Sequence, residues 1–102
     1  MQQIVEKNRA KLTQLCKSLN IKRMNVFGSV VTDKFNDDSD IDFLILFSED
    51  LSVGEYTDNY FELHYKLREI FNREIEIVTE PTLSNPYFIE SINESKQLIY
   101  EK

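Results

Sequence analysis

Tryptophan is absent from this 102-residue chain, cysteine and histidine occur once each, and glycine and proline twice each. A single cysteine, Cys16, excludes an internal disulfide and fits a reducing compartment. With one thiol and one imidazole, His64, there is no soft-ligand cluster of the kind that holds zinc. So few glycines and prolines leave no room for a flexible linker, and neither repeats nor low-complexity tracts are present. Long hydrophobic runs are missing too: the longest, Phe43 to Phe47, is far too short for a membrane span or a secretory leader. These absences predict a cytoplasmic protein with no membrane association. Positive charge is also scarce, with 12 Lys and Arg against 18 Asp and Glu. A net charge of -6 argues against direct nucleic-acid binding, whose affinity comes mainly from basic side chains on phosphates. The length suits one domain, residues 1–102, around one core.

What is present alternates between helical and extended patterns, which predicts an α/β (α+β) fold with a small mixed sheet flanked by helices. Residues 2–19 carry Ile4, Val5, Asn8, Leu12, Leu15, Cys16 and Leu19 at helical spacing, so one amphipathic helix is expected there. Cys16 lies on its apolar side and reads as a core residue. After a turn at Asn20 a first strand ends at Phe27, and a short helix over residues 29–34 is expected to follow. Residues 34–39 form a polar connection in which Asp37 and Asp38 read as solvated. A loop over 48–53 leads to a helix over 54–71 with Tyr56, Tyr60, Leu63, Leu67 and Ile70 facing the core. His64 falls beside that stripe and is assigned no role. Residues 74–78 alternate as a strand, with Ile75 and Ile77 on one face and Glu74 and Glu76 on the other. Asn85-Pro86 reads as cap and first position of a helix that packs Phe88, Ile89 and Ile92 inward, and 97–100 as a last strand.

The most informative stretch is Gly28-Ser29, followed ten residues later by Asp40-Ile41-Asp42. A Gly-Ser directly after a strand permits a sharp turn whose bare amides suit a phosphate. The run from Asp40 to Phe47 alternates as a strand, placing Asp40, Asp42 and Leu44 on one face. At about 3.3 Å per residue the two carboxylates stand about 7 Å apart. Such anions repel unless something positive lies between them, and hard oxygen ligands without His or Cys favour Mg2+ completed by nucleotide phosphates. If the 74–78 strand is the neighbour, a third carboxylate joins them.

These residues resemble the signature of the minimal nucleotidyltransferases, the small branch of the DNA polymerase beta-like nucleotidyltransferase superfamily. The Gly-Ser and Asp-x-Asp positions alone would coincide by chance in on the order of one chain in a thousand of this length. The resemblance covers nearly the whole chain and implies that fold. It implies a metal-dependent transfer of a nucleoside monophosphate, AMP from ATP, with Mg2+ as one or two ions. Asp40 and Asp42 would hold metal, and Gly28 and Ser29 the β and γ phosphates. Glu76, in Glu-Ile-Glu-Ile-Val-Thr, aligns with a third acidic position, as ligand or as base for the attacking hydroxyl, while Glu74 reads as exposed. The chain departs from the family at Val30 and Thr32, where basic residues are common, so weaker triphosphate affinity is expected unless Lys34, Lys22 or Arg23 substitutes. Proteins of this family are often paired with a HEPN-domain toxin and nucleotidylate a tyrosine on it, which implies a toxin-antitoxin role. The competing reading, motivated by Val30, Thr32 and Glu76, is a catalytically weak or inactive antitoxin that neutralises its partner by binding alone. A drug-modifying nucleotidyltransferase is a third, less favoured by the lack of an added substrate domain.

Overall fold

The computed structural model describes residues 3–102 and contains helices α1 (Gln3–Glu6), α2 (Arg9–Ser18), α3 (Val53–Phe71) and α4 (Pro86–Ser95). Strands β1 (Ile21–Phe27), β2 (Ile41–Phe47), β3 (Ile75–Thr79) and β4 (Gln97–Glu101) form one sheet in the order β3-β2-β1-β4. The sheet is mixed: β1 runs antiparallel to both β2 and β4, whereas β2 and β3 are parallel and joined through α3. The expected α/β architecture is therefore present. No helix among the described residues is long and apolar enough to cross a membrane.

The single helix expected over 2–19 is instead two, and residue 2 lies outside the described residues. Asn8 causes the break: its side-chain amide donates to the Ile4 carbonyl at 2.8 Å, and its backbone leaves the helical region at φ -105, ψ 7. Such local bonding offers the backbone an alternative to the helical ladder. The apolar stripe survives the break, with Val5, Leu12 and Cys16 fully buried. Asn20, at φ 56, supplies the left-handed turn that ends α2 and starts β1. Helix α3 opens one residue earlier than expected, on a capping box in which Ser52 and Glu55 satisfy each other's backbone amides. It closes on left-handed Asn72. The Asn85 side chain caps α4 by accepting from the amides of Tyr87 and Phe88, with Pro86 in the first turn, as the sequence predicts. Phe88 departs from the expected inward packing: it is 40% exposed, with its ring edge-on to Phe27 at 6.1 Å between centroids.

The helix expected over 29–34 is a four-residue 3-10 turn, Gly28–Val31. Both the amide and the hydroxyl of Thr32 donate to the Ser29 carbonyl, at 2.9 Å each, which closes an i to i+3 turn.

One face of the sheet packs Met24, Val26, Ile41, Phe43 and Ile45 against Leu12 and Cys16 of α2 and Leu63 and Leu67 of α3. The other face is arranged in three rows by strand register and side-chain alternation. Phe27, Asp42 and Glu76 form the first row. Asn25, Leu44 and Val78 form the second, and Arg23 with Leu46 begin the third. Ile92 of α4 covers Phe27 and Leu44, with Val78 and Leu83 at the margin. Apolar packing therefore seals the middle of this face and leaves a polar row at each end.

Candidate active site

Strand register brings Asp42 and Glu76 together, because Asp42 is the Cα partner of Glu76 in the parallel β2-β3 pair. The condition set by the sequence, that the two acidic strands be neighbours, is met. Asp40 stands just before β2 rather than inside it as expected, since the ladder begins where the Ile41 amide donates to the Glu74 carbonyl at 3.2 Å. Asp40 is exposed and Asp42 half-buried.

Gly28 meets this pair from the other side. It follows Phe27, the antiparallel partner of Asp42, and turns the chain at φ +76. A Cβ built on Gly28 would overlap the Asp42 Oδ2. Any side chain there would be strained by the backbone and would displace the carboxylate. The Gly28 amide donates to the Ser95 hydroxyl at 3.4 Å, and that hydroxyl in turn donates to the Ser91 carbonyl. Ser95, at the end of α4, thus faces the Gly28 turn, a placement that no motif signals.

The electrostatics are those of unpaired anions. Asp42 is pushed up from 3.8 to about 6, first by burial, then by the charge of Glu76 and a hydrogen bond shared with it, and last by Asp40. None of the ion pairs found among the described residues includes Asp40, Asp42 or Glu76. No three of the described His, Cys, Asp or Glu residues are grouped closely enough to form a ready-made metal cage. The donor set nevertheless fits a hard divalent cation: carboxylates on adjacent strands, one of which, Asp42, is raised to about 6 first by burial and then by its anionic neighbours. Asp42 and the exposed Glu76 would form the strand-borne edge of such a site, with Asp40 as its outer arm. A two-carboxylate edge completed by phosphate oxygens is a common way for a protein to hold Mg2+.

Of the three basic residues named as possible substitutes for the missing phosphate contacts, Arg23 is already engaged. Its Nε and Nη2 bind both oxygens of Glu80 at 2.8 Å, and its Nη1 binds Glu101 at 2.8 Å. Lys22 is exposed beside it, at the far end of the sheet, and Lys34 is exposed in the connection to Asp40. Val30 is fully buried, so the position that follows Gly-Ser serves the core here.

The residues assigned no chemistry have structural roles. The buried Cys16 thiol is pushed up to about 12 by desolvation, which makes it inert. His64 Nε2 bonds the Ile75 carbonyl at 3.1 Å and ties α3 to β3. Asp37 and Asp38 are exposed, and Glu74 is exposed in an ion pair with Arg68. A cavity of about 500 Å³ between α3 and β3 is lined by Tyr56, Tyr60, Phe61, Ile77 and Thr79. It includes none of the acidic site residues.

A mixed sheet presenting a Gly-Ser turn against paired strand carboxylates defines the class of a nucleotidyltransferase. The family model for the nucleotidyltransferase domain matches residues 9–99, and the chain belongs to that family. A Methanocaldococcus jannaschii protein named "Putative protein adenylyltransferase" is 31% identical over 80 residues, covering 78% of this chain and 76% of its own. Among solved structures, one described as a "putative minimal nucleotidyltransferase" is 26% identical, covers 91% of this chain and 90% of its own, and has a TM-score of 0.74. The fold is also shared with a structure of the tri-AMPylated Shewanella oneidensis HEPN toxin in complex with MNT antitoxin, at 17% identity and a TM-score of 0.65. That match covers 95% of this chain and 72% of its counterpart. Within the family, the chain's size and sheet are those of the minimal nucleotidyltransferases.

Proposed function

We propose that this chain transfers AMP from ATP, with Mg2+, to a hydroxyl of a partner protein, and that the partner is a HEPN-domain toxin which it thereby neutralises. The observation that carries the reading is Asp42 opposite Glu76, with no ion-pair partner among the described residues, pressed against a backbone turn that accommodates only glycine. The adenylyltransferase name of the archaeal relative and the AMPylated toxin in the fold neighbour support the choice of AMP and of a protein acceptor. The single buried cysteine accords with action in the cytoplasm.

Asp40 and Asp42 are the residues that would hold Mg2+, and Glu76 would be a third ligand or would take the proton from the attacking hydroxyl. Bound there, the metal would stabilise the charge that builds on the attacking and leaving oxygens during in-line displacement at the α phosphorus. Gly28 and Ser29 orient the β and γ phosphates through backbone amides and the Ser29 hydroxyl. For the Gly28 amide to do so, the Ser95 hydroxyl must yield its place. With Val30 in the core and Arg23 held by two glutamates, triphosphate binding relies on the metal and the turn rather than on an arginine.

The test is to incubate the protein with labelled ATP, Mg2+ and the protein encoded beside it, and to repeat with Asp40→Asn and Asp42→Asn. Label should appear on the partner and fall by at least about 10²-fold in both variants, the scale of losing a principal electrostatic stabiliser. Partner neutralisation that survives both substitutions would identify instead a module that acts by binding alone.

A further inference from the structure

Asp40 lies outside the β2 ladder and is exposed, so the strand itself does not fix the outer arm of the acidic site. Another element does. Arg73, between the Asn72 cap of α3 and the start of β3, donates through Nη1 to the Ser39 carbonyl at 2.8 Å and to the Asn36 carbonyl at 3.0 Å. Its guanidinium lies over the Phe35 ring at 4.5 Å, and Phe35 packs on the core. Its Nε is buried and has no hydrogen-bond partner. A buried donor left unpaired is unfavourable, so the side chain keeps this pose because its other contacts outweigh the loss.

We infer that Arg73 is a positioning residue for nucleotidyl transfer, clamping the 35–39 connection so that Asp40 stands beside Asp42; this rests on the reading given under Proposed function. The Ser39 carbonyl belongs to the peptide that joins Ser39 to Asp40, so the bond from Arg73 fixes the plane from which the Asp40 side chain departs. The loop is already braced within itself. The Asn36 amide donates to the Ser39 hydroxyl, the Ser39 amide to the Asn36 carbonyl, and the Asp38 amide to the Asn36 side chain. Those bonds give the loop a shape but do not attach it to the sheet. Arg73 attaches it, and does so from the segment that leads into Glu76 three residues later. One guanidinium therefore couples the entrances of both acidic strands, which sets the spacing between Asp40 and the Asp42-Glu76 pair. A planar, always-charged group with several donors can stack on Phe35 and bind two carbonyls at once, whereas an ammonium can do only part of this.

The test compares Arg73→Ala, Arg73→Lys and the neighbouring charge control Arg68→Ala, using Mn2+ with a non-hydrolysable ATP analogue followed by electron paramagnetic resonance. Hydrogen exchange over residues 36–41 is recorded alongside, all at a temperature where each variant is folded. Arg73→Ala should weaken Mn2+-nucleotide uptake about tenfold and speed exchange over 36–41 by about tenfold or more, since misplacement of about 1 Å is costly at such sites. Arg73→Lys should recover part of both, and Arg68→Ala should remain within about twofold of the unmodified chain. Should Arg73→Ala fail to fold, Arg73→Lys and Phe35→Leu are read by the same two measurements. Unchanged uptake, or unchanged exchange, in the Arg73 variants would overturn the inference. An equal loss of uptake in Arg68→Ala would also overturn it, by making the effect one of net charge. If the unmodified chain takes up no Mn2+ with nucleotide, the functional reading fails, and the exchange rates alone decide whether Arg73 holds the Asp40 peptide.

Discussion

The two ends of one sheet face carry the same kind of side chain in opposite circumstances. At the Arg23 end, Glu80 and Glu101 converge on one guanidinium, and hydrogen bonding to Arg23 holds the Glu80 carboxyl below its ordinary value. At the Gly28 end, Asp42 and Glu76 converge on each other and Asp42 is pushed up. Burial is the largest cause of the rise at Asp42 and the charge of Glu76 adds to it, whereas at Glu80 hydrogen bonding to Arg23 outweighs burial. The chain supplies a cation where the carboxylates stabilise the fold and withholds one where they face a bare turn. Uncompensated charge at a partly buried position is a cost that a purely structural site would have no reason to bear.

The strongest way to break this comparison is to add the missing cation. If the acidic end awaits a metal and a nucleotide, Mg2+ with ATP at about a hundredfold over the dissociation constant should stabilise the folded chain by about 2.7 kcal/mol. In a domain of this size that raises the midpoint of thermal unfolding by more than roughly 10 °C. Asp42→Asn should abolish the rise, and Glu80→Gln should keep it. Equal responses from the two variants would mean that the ends are not chemically distinct.

A smaller effect comes from pH. Because folded Asp42 titrates near 6 and the unfolded carboxyl near 3.8, the folded state binds more protons between those values. Stability from this group therefore falls as pH rises from about 4 to about 6 and stays low above it. Discounted for the half of Asp42 that solvent reaches, the penalty at pH 7 is about 1–2 kcal/mol. Asp42→Asn should be more stable than the unmodified metal-free chain at pH 7 by that amount and nearly equal to it at pH 4. Denaturant midpoints at the two pH values measure the difference, and a gap that does not change with pH would remove Asp42 as its source.

Sequence legibility divides along the same line. Alternation in Asp40 to Phe47 and in Glu74 to Val78 sets which residues share a face, so Asp42 and Glu76 could be paired once the strands were supposed adjacent. The Gly28 turn was legible because a positive φ and a close carboxylate both require glycine. That Arg23 is not available to replace the missing phosphate contacts was not legible, because its partners lie 57 and 78 residues away, beyond any local pattern. Arg73 gave no signal either, since its acceptors are main-chain carbonyls that any residue could offer. The break at Asn8 and the 3-10 turn after Gly28 both arise from side chains bonding to nearby backbone, which hydrophobic spacing does not register.

The smallest effect probes the comparison from its satisfied end. Arg23→Met would remove the hydrogen-bonded cation between Glu80 and Glu101 and leave only the weaker charges of Lys96 and Lys22 near Glu80, moving that end toward the condition of Asp42 and Glu76. Both carboxylates are partly exposed, so water can reorganise around them and the loss should be only about 1 kcal/mol at pH 7. Glu80 is lowered in the folded chain, so the stability it contributes is present above the ordinary glutamate value and lost as pH falls through the folded one. The deficit of Arg23→Met should therefore shrink toward pH 3, the reverse of the trend for Asp42→Asn, whose advantage grows with pH. Transfer activity per folded molecule should stay within about twofold, because among the described residues the Arg23 side chain bonds only to Glu80 and Glu101. A loss of transfer larger than the loss of folded protein would place Arg23 in the nucleotide site after all, and the two ends would then have to be treated as one.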